Sequence, residues 1–210
     1  MATGDKTDPS PLLPGPAWEI ATLFPEQGHI GEGDYLSVTD HTNRLVELVN
    51  GRIEILPNPT PEHQQIVLFL INRLRALIGP AKLGRAIMAP ERIRLPDGNY
   101  REPDVVFMLL ANLSVAGERY WDGADLVMEV VGPNDPERDY VIKRRDYAAA
   151  KIREYWIVDP PKQTIRVLRL ENGYYVAHNE ATKVGRVGSA LLKGFTVEAA
   201  EVFAAGRNGK

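Results

Sequence analysis

The chain has 210 residues, of which 44% are hydrophobic and 25% charged, and its formal net charge is −3. These values are ordinary for a globular protein with a sizeable core. The absence of cysteine excludes disulfides, thiol catalysis and cysteine-based zinc sites. Because the chain is not basic overall, binding of nucleic acid would require a local basic patch.

The N-terminal stretch, residues 1–34, is rich in proline and small polar residues, which predicts a flexible arm. We expect one folded domain over residues 35–204 and a frayed tail over residues 205–210. The first residues lack the basic segment and apolar core of a secretory signal. No apolar run approaches the roughly 20 residues needed to span a bilayer. We therefore expect a cytoplasmic protein that is not bound to a membrane.

The first predicted elements are a hairpin and a long helix. The sequence LVELVNGRIEIL (45–56) places two β-prone runs around Asn50-Gly51, a strong hairpin signal. After it the apolar period changes to that of an amphipathic helix, which we expect to end at Gly79-Pro80. The stripe consists of Ile66, Leu70, Leu74 and Leu77, widened by Val67, Ile71 and Ile78.

Most of the later elements are predicted strands. ERIRL (91–95) alternates, whereas VVFML (105–109) and ADLVMEVV (124–131) are nearly continuous apolar runs, which indicates strands buried on both faces. Asp135-Pro136 is typical of a helix start. REYWIVDP, TIRVLRL and GYYVAHN then predict further strands. The pattern favours an α/β (α+β) domain, a mixed sheet between helices in about three layers.

Three carboxylates lie at strand positions where a charge is costly. Glu47 lies within a strand, Asp104 opens VVFML after Pro103, and Glu129 interrupts LVMEVV. A buried charge needs a cation, a metal or a wet cleft beside it, so the three could converge on one hard cation. Two simpler readings stay open, because Pro-Asp is a common turn dipeptide and Glu47 could face water on an edge strand.

A lysine follows on the next predicted helix. Tyr140, Lys143, Tyr147 and Ala150 share one face of a helix that starts near Pro136. The alternative is a solvated face on which Asp139 and Lys143 form an ion pair four residues apart. Periodicity alone prefers Lys143 only weakly over its neighbours. Histidines show no metal-binding spacing, and no phosphate-binding glycine loop or serine elbow is present.

The segments YREPDVVFM (100–108) and LVMEVVGPNDPERDYVIKRRDYAAAKIREYWIVDP (126–160) resemble a known family. Together with the hairpin and the following PEHQQIVLFLINRL, they are similar to the Uma-two family, a branch of the PD-(D/E)XK nuclease superfamily. The resemblance covers about residues 35–200. It implies a restriction-endonuclease-like core, a mixed sheet flanked by helices with an N-terminal hairpin and extra C-terminal strands.

The resemblance also implies roles for individual residues. Asp104 matches the aspartate of the PD motif and Glu129 the second acidic position, and Lys143 stands in for the lysine that is absent at Val131. Glu47 matches an upstream glutamate and His63 a histidine that lines the site. The family usually has serine where this chain has Gly132, a change that removes one hydroxyl from the edge of the site.

The function implied is Mg²⁺-dependent hydrolysis of phosphodiester bonds, with Mn²⁺ as a substitute. Asp104, Glu129 and the carbonyl of Val130 would hold the metal, with support from Glu47. The expected partner is nucleic acid, DNA in the first instance. Phosphate contacts are expected from Arg144, Arg145, Lys151 and Arg153.

Two other functions stay open. One is an inactive nuclease-fold module that binds nucleic acid or a protein, and the other is a hydrolase of a different phosphoester. RNA as substrate and a homodimer as the oligomeric state also stay open.

Overall fold

The computed structural model describes residues 26–42 and 44–207. At its centre is a six-stranded mixed sheet in the order β11-β10-β9-β8-β6-β3, in which only β8 and β9 run parallel among the described neighbours. Its strands are β3 (Gly84–Met88), β6 (Val105–Leu109), β8 (Leu126–Val130), β9 (Glu154–Asp159), β10 (Thr164–Glu171) and β11 (Tyr174–Thr182).

One face of this sheet is covered by helices. Helix α2 (Pro61–Ala81) packs its predicted apolar stripe there, beside helix α4 (Ala199–Arg207) and the short pair β12 (Arg186–Gly188) and β13 (Thr196–Glu198). Alternate residues of the strands, such as Val105, Phe107, Leu126 and Met128, point into this layer. Their burial confirms that both central strands are covered on this side.

The opposite face packs against a helix and a second sheet. The helix is a π-helical segment (Arg138–Lys143) that continues into α3 (Arg144–Ala149). The second sheet has the order β2-β1-β5-β4-β7. Its strands are β1 (Val46–Val49), β2 (Arg52–Ile55), β4 (Ile93–Arg94), β5 (Tyr100–Arg101) and β7 (Trp121–Asp122). The predicted mixed α+β architecture, with layers on both faces of a central sheet, is therefore confirmed.

Local signals placed several elements correctly. Asn50 and Gly51 adopt φ of 50° and 70°, the left-handed conformation that a tight hairpin turn requires, and β1 and β2 pair around them. Asp135 accepts a hydrogen bond from the Arg138 amide at 3.3 Å, which caps the helix that was predicted to start at Asp135-Pro136. Burial on both faces of β6 and β8 agrees with their continuous apolar sequence.

Other details differ from the sequence interpretation. Helix α2 does not end at Gly79-Pro80 but continues to Ala81. It ends there because Lys82 adopts the left-handed conformation and its amide donates to the carbonyls of Gly79 and Ile78. Strand β3 lacked a sequence signal; it lies so close to β6 that a side chain on Gly84 would meet the Met108 carbonyl.

Helices also extend beyond residues 35–204 at both ends. Helix α1 (Glu32–Thr39) and buried Ile30 pack onto the second sheet, and α4 reaches Arg207. The remaining residues of the predicted arm and tail, 1–25 and 208–210, lie outside the described residues. Among the described residues, no helix combines the length and the apolarity that crossing a bilayer requires.

Candidate active site

Asp104 and Glu129 come together because their strands are neighbours in the central sheet. Val105 pairs with Met128 in the antiparallel register of β6 and β8. Asp104, which precedes Val105, therefore lies beside Glu129, which follows Met128. The Val130 amide donates to Asp104 Oδ2 at 2.7 Å, which fixes the aspartate at the end of β8. The two predicted carboxylates, Asp104 and Glu129, therefore meet at the same end of the same strand pair.

Glu129 points toward α3, on the same face of β8 as Val127. Its Oε1 lies 2.8 Å from Lys143 Nζ and accepts a 2.5 Å hydrogen bond from the Tyr147 hydroxyl. Burial raises the pKa of Glu129; Lys143 opposes that shift, and the charges of Asp104 and Asp139 add to it. A carboxylate held among other carboxylates is a group that a bound cation would stabilise.

Lys143 is 3% exposed and faces several carboxylates at once. Besides Glu129, its ammonium lies 3.6 Å from Glu47 Oε1 and 3.7 Å from Asp139 Oδ1. Burial alone would lower the pKa of Lys143, but these anions raise it, so the side chain is a fixed cation at neutral pH. The interpretation of Asp139 and Lys143 as a solvated pair is wrong, since both side chains are buried.

The π-helical segment explains how one helix brings two cations to Glu47. Its hydrogen bonds run from residue i to residue i+5, so residues five apart lie nearly above one another. Arg138 and Lys143 therefore both reach Glu47, at 2.5 and 3.6 Å. An α-helix would turn these two side chains well apart, because it repeats every 3.6 residues.

Glu47 is wholly buried and surrounded by donors. Its Oε2 accepts from Arg101 at 2.6 Å and from Arg138 at 2.5 Å, and its Oε1 accepts from the Glu102 amide at 3.1 Å beside the Lys143 ammonium. Burial pushes the pKa of Glu47 upward, but Lys143, Arg101 and Arg138 outweigh it and lower the pKa to about 2. Glu47 is thus ionised, and it does not lie at an edge facing water.

His63 lies in the first turn of α2, where Thr60 caps the helix. Its Nε2 lies 3.1 Å from Asp104 Oδ2, while its Nδ1 is buried without a partner among the described residues. Burial lowers the pKa of His63, but the contact with Asp104 outweighs it and the net shift is upward. The predicted site-lining histidine therefore contacts one of the two central carboxylates.

Asp104, Glu129, Lys143 and His63 line one cavity of about 260 Å³, whereas Glu47 is not among its lining residues. The rim of the cavity is built from three loops rich in proline, residues 56–60, 132–135 and 160–161. The cavity is rich in carboxyl groups, since six of them line it against two permanent cations and one histidine. The acids are Glu62, Glu102, Asp104, Glu129, Asp135 and Asp139, and the bases are Arg138, Lys143 and His63.

This donor set fits a hard cation. Among the described residues, no three side chains of His, Cys, Asp or Glu stand together as a complete metal site. The predicted set needs only two carboxylates, Asp104 and Glu129, with the Val130 carbonyl, and all three residues line the cavity. Mg²⁺ commonly keeps several waters and takes only one or two protein carboxylates. The excess of carboxylates over cations would be offset by such an ion.

The four predicted phosphate contacts lie elsewhere. Arg144 donates to the Tyr175 carbonyl at 2.8 Å, and Arg145 pairs with Asp146 at 2.9 Å. Lys151 and Arg153 are exposed near the turn before β9. None of these four lines the cavity. A role in binding phosphate stays a prediction for them, and it would concern the outer surface.

Five residues of the site were missed as candidates. Arg101 and Arg138 bind Glu47, and Tyr147 binds Glu129. Glu102 and Asp139 are buried carboxylates on the cavity wall, and burial raises the pKa of Glu102 to about 7. Of these, Tyr147 had a usable signal because it shares the predicted face with Lys143, and Asp139 had one because it precedes Lys143 by four residues.

Comparison with known proteins gives two findings. The model of the Uma2 family, described as "Putative restriction endonuclease", matches residues 33–200. A crystal structure described as a putative nuclease belonging to DUF820 from Anabaena variabilis superposes with a TM-score of 0.70 at 16% identity, covering 84% of this chain and 99% of that one. At that identity the likeness shows the fold. No curated protein matches the chain.

Proposed function

The chain belongs to the Uma2 family of putative restriction endonucleases, and on that premise we propose that it is a Mg²⁺-dependent endonuclease that hydrolyses phosphodiester bonds of nucleic acid, DNA in the first instance. The observation that carries the proposal is the convergence of Asp104, Glu129 and Lys143 on one cavity rich in carboxyl groups. Lys143 Nζ lies 2.8 Å from Glu129. The amide of Val130, the residue after Glu129 on β8, donates a hydrogen bond to Asp104.

Each residue has a defined role in this proposal. Asp104, Glu129 and the Val130 carbonyl would hold the metal, with His63 orienting Asp104 from the side. Bound Mg²⁺ supplies charge stabilisation at the phosphate and lowers the pKa of a water. Lys143 presents a fixed positive charge that can orient the attacking water or offset negative charge as it develops on the phosphate. Mn²⁺ is expected to substitute, because it takes the same oxygen ligands.

The test is cleavage of plasmid and single-stranded DNA, and of RNA, by purified protein with Mg²⁺ or Mn²⁺. We expect cleavage by the wild type and a loss of roughly 10²-fold or more in Asp104→Ala and Lys143→Ala. Equal cleavage by all three proteins would mean that the activity comes from a contaminant or that the site is wrong. A folded wild type that cuts none of these substrates and is not stabilised by either metal would instead favour a binding module.

A further inference from the structure

Glu47 is surrounded by positively charged and hydrogen-bonding groups, which take three of its acceptor positions by hydrogen bonds and bring the Lys143 ammonium to 3.6 Å from Oε1. A carboxylate offers about four acceptor positions, two on each oxygen. Arg101 and Arg138 occupy those of Oε2, and the Glu102 amide and the Lys143 ammonium face those of Oε1. The side chain is also wholly buried, so no solvent-filled space lies beside it. These contacts fit an anchor for cations better than a ligand for Mg²⁺.

Arg101 links this anchor to the helix that carries Lys143. Its guanidinium is 1% exposed, and it donates to Glu47 at 2.6 Å through Nη1 and to Asp146 at 2.5 Å through Nη2. Glu47 lies on β1, and Asp146 lies on α3, three residues after Lys143. A planar guanidinium that binds two carboxylates fixes both distance and direction between them. Arg101 therefore fixes the position of α3 relative to β1 of the second sheet.

Lys143 lies between the anchor and the cavity. Glu47 contacts its ammonium from the side of the second sheet at 3.6 Å, and Glu129 contacts it at 2.8 Å from the central sheet. With Glu47 neutral, the ammonium would lose one of three buried anions, and the guanidiniums of Arg101 and Arg138 would repel it. Its position beside Glu129 depends on that balance.

We infer that Glu47 and Arg101 are positioning residues that hold Lys143 at the site, and that Glu47 is not a metal ligand. The inference rests on the proposed function for its catalytic consequence, but the placement of Lys143 can be measured without any cleavage.

The first test is kinetic and uses Glu47→Gln, Glu47→Asp and, as a matched control, Glu54→Gln. Glu54 also contacts Arg138, at 3.0 Å, but it is 40% exposed at its side chain and does not contact Lys143. We expect Glu47→Gln to lower kcat by roughly tenfold or more, while the Mn²⁺ concentration for half-maximal rate stays within about twofold. Glu47→Asp keeps the negative charge, so its kcat should fall less than that of Glu47→Gln. The kcat of Glu54→Gln should match that of the wild type.

The second test measures how fast Lys143 is acylated by a water-soluble N-hydroxysuccinimide ester, read by mass spectrometry. The exposed lysines are internal controls for the reagent, and circular dichroism of each variant is the control for folding. Several-fold faster acylation in Glu47→Gln, but not in Glu54→Gln, supports the inference. An unchanged rate at Lys143, or a half-saturating Mn²⁺ concentration that rises tenfold with kcat recovered at high metal, overturns it. If the wild type cuts nothing, the proposed function fails and acylation alone decides the role of Glu47.

Discussion

The ammonium of Lys143 lies 2.8 Å from the carboxylate of Glu129, although one residue is on a helix and the other is in the middle of the central sheet. The resemblance to the family implied that a lysine from the helix replaces the strand lysine of the superfamily. The short distance shows that the displaced side chain does reach the second acidic residue. Consequences for activity and stability follow from the contacts of these two residues.

Replacing Lys143 by methionine is expected to lower kcat by roughly 10²-fold or more, because the only buried ammonium among the described cavity residues is removed. The substitution also leaves the buried carboxylates of Glu129, Glu47 and Asp139 with less compensating charge. In the absence of metal, we expect this to lower the free energy of unfolding by about 3–5 kcal/mol. Urea unfolding with and without Mn²⁺ checks this second effect. Loss of activity without loss of apo stability would contradict the buried charge balance described here.

Tyr147→Phe removes only the hydroxyl that donates to Glu129 Oε1 at 2.5 Å. We expect a stability loss of about 1–3 kcal/mol and a several-fold loss of activity, since Glu129 becomes less well fixed. The matched control is Tyr175→Phe, because that hydroxyl is also buried but donates to the Ile152 carbonyl. If both variants lose stability and neither loses activity, the hydroxyl of Tyr147 is structural only.

His63→Ala is expected to weaken Mn²⁺ binding by roughly 10- to 100-fold, because a residue that orients a metal ligand typically has that effect. The physical cause is the contact at 3.1 Å that steadies Asp104 Oδ2. Isothermal titration with Mn²⁺ measures the affinity directly. The exposed His178 provides the control, and its alanine variant should bind Mn²⁺ like the wild type. Equal affinities for the two variants would exclude a role of His63 in holding Asp104.

The lowered pKa of Glu47 predicts that the stability of the fold decreases in acid. The pKa of Glu47 is lowered from 4.5 to about 2, so the contribution of this residue to stability is complete above about pH 4.5 and is lost as the pH falls toward 2. The contribution is on the order of 3 kcal/mol. Urea unfolding between pH 7 and pH 2.5 should show a steeper loss for the wild type than for Glu47→Gln. Parallel curves would show that another carboxylate causes the acid unfolding.

Much of the fold could be predicted because its signals are local. Continuous apolar runs marked β6 and β8 as central strands, Asn50-Gly51 marked the hairpin, and Asp135 marked the helix start. Helix α4 has an amphipathic pattern of its own that the sequence interpretation missed. Strand β3 had no such signal. Gly84 is explained by the close approach to Met108 across the sheet, a contact that is remote in sequence. Such an element is defined by its partner and not by its own pattern.

The residues that the structure brings together in the candidate site could be predicted in part. Glu129 could be chosen because a charge inside an apolar strand needs a reason, and Asp104 and Lys143 because of the family resemblance. Arg101 could not be chosen, since an arginine in a short segment of mixed polarity is usually exposed. In the structure it is 1% exposed and binds Glu47 of the second sheet and Asp146 of α3.

The sequence by itself determined the class of fold and the types of group available for chemistry, because burial period and residue type are properties of the chain. Only the tertiary structure decided how these groups are paired. It placed the acceptor positions of Glu47 against Arg101, Arg138 and Lys143, and it left Asp104 and Glu129 on the wall of a cavity rich in carboxyl groups. The reason is that a charge interacts over a few ångströms in space, whatever the distance along the chain.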